Sequence, residues 1–186
     1  MEVKAVAKND ALERLMEGNS RYAAKANKKL LAELVKNGQH PYVMIISCAD
    51  SRVPVEQIFG SKEPGEIFVV RNAGNLATYD VVGSAEYAAE HLGIAAIVVL
   101  GHTNCGAVKG ALDGNHATGA LGRVLAHIEP AVEKAGGDFV KAVELNVKNQ
   151  IAELLGSDIL QKASDTGKLE IVGAVYELET GKVRRI

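Results

Sequence analysis

An α/β fold is what this chain predicts, and three observations carry the prediction. Apolar runs rich in β-branched residues recur along it, helical periodicities fill the segments between them, and a Gly/Asn cluster stands where one run ends. Residues 9–36 come first. Leu12, Leu15 and Met16 recur at helical spacing, followed after a polar break by Leu30, Leu31, Leu34 and Val35. They predict a helical arm over about 1–36, whose apolar stripe is suited to burial against a second copy of the chain. The first strand is expected in "PYVMIISC" and the second in "GEIFVVRNAGN", with "VGSAEYAAEHLG" as the crossover helix leading to a third strand in "IAAIVVLGH". These runs are continuous rather than alternating, as suits parallel strands covered on both faces. Helical stretches follow at about 119–135, with a break or kink expected at Pro130, and at 138–155, marked by Val140, Val143, Val147, Ile151, Leu154 and Leu155. A fourth strand is expected in "LEIVGAVYEL" at 169–178. No repeat or linker divides the chain, so about 37–186 is read as one α/β core and 1–186 as a single domain.

Composition narrows the function. With 186 residues and 47% hydrophobic content the chain has enough material for a substantial core. Its 21 basic and 23 acidic side chains are mixed along the sequence, which leaves no footprint for nucleic acid or an anionic membrane. The N-terminus carries charges every few residues and has no apolar leader, and the longest apolar run is too short to cross a bilayer. A cytoplasmic protein is expected. Two cysteines are too few for a secreted disulfide scaffold, so reduced thiols are the starting assumption.

Those two cysteines carry the chemistry. Cys48 follows the first strand, while His102 and Cys105, in "LGHTNCGAVKG", follow the third. In an open parallel sheet, sites collect beyond the carboxyl ends of the strands. Two thiolates and one imidazole at that edge match a catalytic zinc set in which the fourth tetrahedral position is left to water or substrate. Other readings stand beside this one. Each cysteine could be a small buried hydrophobe, although packing explains poorly a histidine placed directly after "VVLG". A redox pair is a second reading, against which the sequence has no CxxC. Gly101 and Gly106 have the first spacing of a phosphate loop, but Ala107 and Val108 stand where such a loop needs its lysine and hydroxyl, which discards it.

"CADSR", "RNAGN" and "GHTNCGAV", in this order and spacing, resemble the β-class carbonic anhydrases from about Gln39 to the C-terminus. The resemblance implies one zinc per chain on Cys48, His102 and Cys105, with Asp50 and Arg52 as the catalytic dyad. It implies reversible hydration of carbon dioxide to bicarbonate and a proton through zinc-bound hydroxide, and a homodimer or higher oligomer. Such a dyad is physically reasonable, because zinc carrying two thiolates has little net charge and polarises water weakly, so a nearby carboxylate must help. The planar fork of Arg52 can grip Asp50 with two parallel hydrogen bonds. Family members locked by bicarbonate carry a tryptophan three residues before the first zinc cysteine. Here that position is Ile45, and the chain has no tryptophan, which implies the open, plant-like form with Asp50 off the metal.

The resemblance also implies a substrate pocket. Gln39 aligns with a glutamine that donates to a substrate oxygen, Phe68, Ala73 and Tyr87 with an apolar wall, and the Gly106 N–H with a bicarbonate contact. A loop amide and ordinary core aromatics are the plain alternatives. His91, four residues after Tyr87, is a candidate proton relay. His40, His116 and His127 are assigned no role. Two other functions stay open: hydrolysis of carbonyl sulfide or carbon disulfide on the same site, and a noncatalytic protein in which zinc only staples two strand ends.

Overall fold

The computed structural model describes residues 8–114 and 117–186, with side chains from residue 10 onward; His116 lies outside them. The chain divides into two compact units, one ending at Gly38 and the other spanning Gln39–Ile186.

The first unit is a pair of helices, α1 (Lys8–Lys25) and α2 (Lys28–Asn37). The polar break between them is a helix cap. The Asn27 side chain accepts the Leu30 N–H at 3.2 Å, satisfying a donor that the first turn of α2 cannot. Leu12, Leu15 and Met16 on α1 are exposed, and α2 has no fully buried residue.

The second unit is built on a five-stranded sheet: β1 (Val43–Cys48), β2 (Ile67–Asn72), β3 (Ala96–His102), β4 (Glu170–Tyr176) and β5 (Val183–Arg185). Their order is β2-β1-β3-β4-β5, with the first four parallel and β5 antiparallel to β4. β1, near the middle, is buried at every position. Its side chains alternate between two cores. Met44 and Ile46 pack with Ile97, Val99 and side chains of three helices, α4 (Tyr79–Tyr87), α7 (Phe139–Leu155) and α8 (Asp158–Asp165). Val43 and Ile45 face the other way, toward Leu100, Ala174 and Val55 of the short α3 (Val55–Ile58). A third cluster lies at the carboxyl edge, where Cys48 and Cys105 meet Val108 of α5 (Gly106–Leu112), Leu125 and Ile128 of α6 (Gly119–Ala135), and Val143 of α7.

Two expectations are revised. The helix at 119–135 is not broken at Pro130 but runs through it. Pro130 lies on the exposed side, as does Ala126, whose carbonyl it cannot serve as a donor, while Leu125, Ile128, Ala131 and Ala135 anchor the opposite face. The crossover helix also changes character at its end, where Ala88–Leu92 widens into a π-helical turn after α4 and stops at Gly93, whose φ of 65° is left-handed.

The sheet is gripped most closely by α7. A Cβ at Gly101 would meet Val147 Cγ2 at 2.7 Å, and one at Gly173 would meet Val147 Cγ1 at 2.8 Å, so one valine seats over glycines of two neighbouring strands. Gly101→Ala is therefore expected to destabilise the fold by about 1–3 kcal/mol through overpacking. Urea unfolding measures it; an unaltered midpoint would mean that α7 rides outward without resistance.

Candidate metal centre

Cys48 ends β1 and His102 ends the adjacent β3, so the pairing of Ser47 with Leu100 delivers both side chains to one edge of the sheet. Cys105 follows after the turn at Asn104, where φ is 55°, and precedes the first residue of α5. All three are buried, and their ligand atoms lie within 4.8 Å of one another. The described residues contain no other His, Cys, Asp and Glu group of this kind.

The donor set suits a metal on two counts. His102 Nδ1 lies 2.8 Å from the Thr103 carbonyl, which can only accept, so the proton sits on Nδ1 and Nε2 presents a lone pair. That Nε2 is buried and has no hydrogen-bond partner among the described residues, a costly state that a metal ion relieves. The two thiols are reduced and share a proton unequally. Cys48 is held below the ordinary thiol value, first by a hydrogen bond from Cys105, against the effect of burial. Cys105 is pushed far up, first by its bond to Cys48 and then by burial. The softness of the sulfur donors and the three-ligand geometry favour zinc.

Beside this group stands a fixed ion pair. Arg52 Nε donates to Asp50 Oδ1 at 3.0 Å and Nη2 donates to Oδ2 at 2.7 Å, while the Arg52 N–H closes a turn onto Oδ1 at 2.9 Å. The guanidinium holds the Asp50 carboxyl at about 2, against the raising effect of partial burial. Arg52 also donates to the Asn104 carbonyl at 3.1 Å, tying the loop after β1 to the loop after β3. Asp50 Oδ2 lies 3.9 Å from His102 Nε2.

Arg71, at the end of β2, was not singled out from the sequence. Its Nε donates to the Cys48 carbonyl at 3.1 Å and its Nη2 to the Asp50 carbonyl at 2.7 Å, which fixes the backbone that carries both residues. The signal was the arginine opening "RNAGN", a charge at the end of an otherwise apolar run.

The expected substrate residues fall into separate groups within the chain. Ala73 and Gly106 line an apolar cavity of about 530 Å³ with Ala107, Leu121 and Leu125. Phe68 and Tyr87 line a different hollow together with Tyr79 and Asp80. Their rings are 6.4 Å apart, and the Tyr87 ring lies 5.4 Å from that of His91 in the π-helical turn. Gln39 is exposed in the segment before β1.

A mainly parallel sheet thus gathers two thiols and an imidazole at its carboxyl edge beside a bidentate aspartate–arginine pair, a donor set that can hold a metal ion. Comparison with known proteins gives the family. The carbonic anhydrase family matches residues 43–183. The chain is 36% identical over 182 residues to "Carbonic anhydrase 2" of Mycobacterium tuberculosis, covering 90% of this chain and 87% of that one. Among solved structures, it resembles a Coccomyxa β-carbonic anhydrase in complex with acetazolamide (TM-score 0.79, 33% identity, 98% of this chain and 87% of the other). It also resembles one of two tetrameric β-carbonic anhydrases from Sordaria macrospora (TM-score 0.86, 27% identity, 96% and 98%). This chain belongs to the carbonic anhydrase family, in its β class.

Proposed function

We propose that the chain catalyses the reversible hydration of carbon dioxide with one zinc ion held by Cys48, His102 and Cys105, and with Asp50 and Arg52 as its working dyad. The observation that carries this reading is the bidentate pair set 3.9 Å from the imidazole that would bind the metal. Zinc, when bound, acidifies a water molecule enough for it to attack carbon dioxide near neutral pH. Everything else falls to the chain. Asp50, held ionised by Arg52, would accept a hydrogen bond from a metal-bound water and so orient it toward the substrate. Arg52 holds Asp50 by both oxygens and thereby keeps it off the metal, the open form, in keeping with Ile45 at the position where locked relatives have tryptophan. Ala73 and the Gly106 backbone form one wall of the substrate's path.

Phe68, Tyr87 and Gln39 are read as the rest of the pocket, contributed across an interface between copies. A homo-oligomer is favoured by the tetrameric relatives and by the exposed apolar side chains of α1. His91, exposed and with its ring tilted against that of Tyr87, is the candidate proton relay. Two buried, reduced cysteines suit the reducing cytoplasm. Among the described residues no helix is long and apolar enough to cross a membrane.

The test is turnover of carbon dioxide against carbonyl sulfide by the purified protein, with zinc counted per chain by mass spectrometry. One zinc per chain and a higher kcat/KM for carbon dioxide are expected. Preference for carbonyl sulfide would move the function to hydrolysis of that substrate, and zinc without either activity would leave a structural clasp.

A further inference from the structure

One buried polar network lies outside the machinery described so far. Asn146 and Gln150, one turn apart on α7, are 1% and 3% exposed, in a helix whose other buried residues are apolar. Gln150 Nε2 donates to Asn146 Oδ1 at 3.1 Å, Asn146 Nδ2 donates to the Gly74 carbonyl at 2.9 Å, and Gln150 Oε1 accepts the Ala77 N–H at 2.9 Å. Helix α7 thus holds the loop between β2 and α4 at two points.

The start of that loop is fixed without α7. The Asn72 carbonyl accepts the Ala49 N–H at 2.9 Å, which ties it to the turn carrying Asp50. The Asn72 side chain donates to the Leu76 carbonyl at 2.8 Å and accepts the Leu76 N–H at 2.7 Å. What lies between is costly to keep in place. Gly74 and Asn75 have φ of 80° and 50°, consecutive left-handed residues, and such conformations persist only where the surroundings over-determine them. Asn75 Nδ2 is buried with no hydrogen-bond partner among the described residues, which adds to the cost. A Cβ at Gly74 would meet Ile128 Cδ1 at 2.8 Å and Ala107 Cβ at 3.5 Å, so the backbone lies directly against α5 and α6. The residue just before it, Ala73, lines the apolar cavity with Gly106, Leu121 and Leu125 of the same two helices.

We propose that Asn146 and Gln150 are positioning residues for the substrate wall: by gripping Gly74 and Ala77 they set how far Ala73 stands from α5 and α6, and so the width of the cavity. A small, linear, apolar substrate offers few polar handles, so its placement depends on how closely the walls fit it, and a wall of loop backbone has to be made rigid from behind. The inference rests on the reading of this cavity as the path of carbon dioxide. It leaves the metal ligands and the dyad undisturbed, because Asn72 stays tied to Ala49 whichever side chain stands at 146.

The test combines hydrogen–deuterium exchange with hydration kinetics on the full, zinc-loaded chain. In Asn146→Leu, close in shape but without the amide, exchange over residues 73–78 should quicken about tenfold or more while that of β1 stays as it was. KM for carbon dioxide should rise about fivefold or more with kcat within about twofold and zinc content unchanged, the pattern of lost uniform binding. Val147→Ala is the control: it trims a buried neighbour on the same helix that faces Gly101 and Gly173 rather than the loop. It should lower the melting temperature without moving the loop's exchange or KM. Should Asn146→Leu fail to fold, Gln150→Met frees the Ala77 N–H, leaves Asn146 unheld and is read by the same criteria. Unchanged exchange in the loop overturns the grip. Quickened exchange with an unmoved KM, or an equal rise in KM in Val147→Ala, overturns its role at the wall. Failure of the functional reading looks different, since the unaltered protein, zinc in place, would then turn over no carbon dioxide and the wall would have no substrate to place.

Discussion

His102→Ala should leave the protein folded, nearly free of zinc and with carbon dioxide hydration lowered by more than a hundredfold. Binding of zinc to four-ligand zinc-finger sites is worth about 10–16 kcal/mol, or about 2.5–4 kcal/mol for each ligand, and the same loss returns water to its ordinary acidity. The fold should survive because His102 contributes little to it. Its Nε2 has no hydrogen-bond partner among the described residues, and its Nδ1 bond is to the carbonyl of the next residue. Metal analysis, circular dichroism and hydration rates are read on one preparation. Stoichiometric zinc in the variant would remove His102 from the ligand set; loss of zinc together with loss of fold would mean that the site holds the sheet edge together.

Asp50→Asn is expected to keep its zinc and lose about 10²-fold in kcat/KM, the scale of a missing general base. An amide of the same shape can neither form the charge-assisted pair with Arg52 nor accept a proton. A variant retaining full activity would exclude the dyad. The companion measurement is the titration of Asp50 by carboxyl NMR. Its folded value, about 2, lies below the ordinary carboxylate range near 4, so the pair stabilises the fold fully above about pH 4 and that contribution disappears as pH falls through 2. In Arg52→Gln the principal cause is gone, and Asp50 should titrate near 4, with acid unfolding moved to higher pH. No limb from Asp50 should appear in the unaltered protein's activity between about pH 5 and 9.

The parts of this protein legible in its sequence are those with a local signature. Four parallel strands announced themselves as continuous apolar runs, and Cys48, His102 and Cys105 could be placed together because strand ends in a parallel sheet share one edge. Asp50 and Arg52 were legible for a similar reason, lying two residues apart in one turn. What stayed hidden depends on distant pairing. β5 has three residues, all exposed, and exists only because β4 offers an edge; α3 and α5 are too short to show a period. Arg71 was not singled out, because nothing nearby in the sequence says that it reaches the Cys48 and Asp50 carbonyls. Asn146 and Gln150 lie within an otherwise apolar buried face of α7, and only the fold reveals that they satisfy the Gly74 carbonyl and the Ala77 N–H. Pro130 was misjudged because its cost depends on which side of the helix faces water.

The division of the ligands between β1 and β3 sets an order of events during synthesis. Cys48 is made well before His102 and Cys105, a delay of several seconds at about 5–20 residues per second, and α7, which seats on both β3 and β4, comes later still. Until then the first thiol has neither its hydrogen-bonding neighbour nor its burial. A newborn chain therefore passes through an interval in which Cys48 is an ordinary solitary cysteine, open to oxidants and to any passing soft metal. How long that interval lasts depends on how quickly β3, β4 and α7 close the site around it.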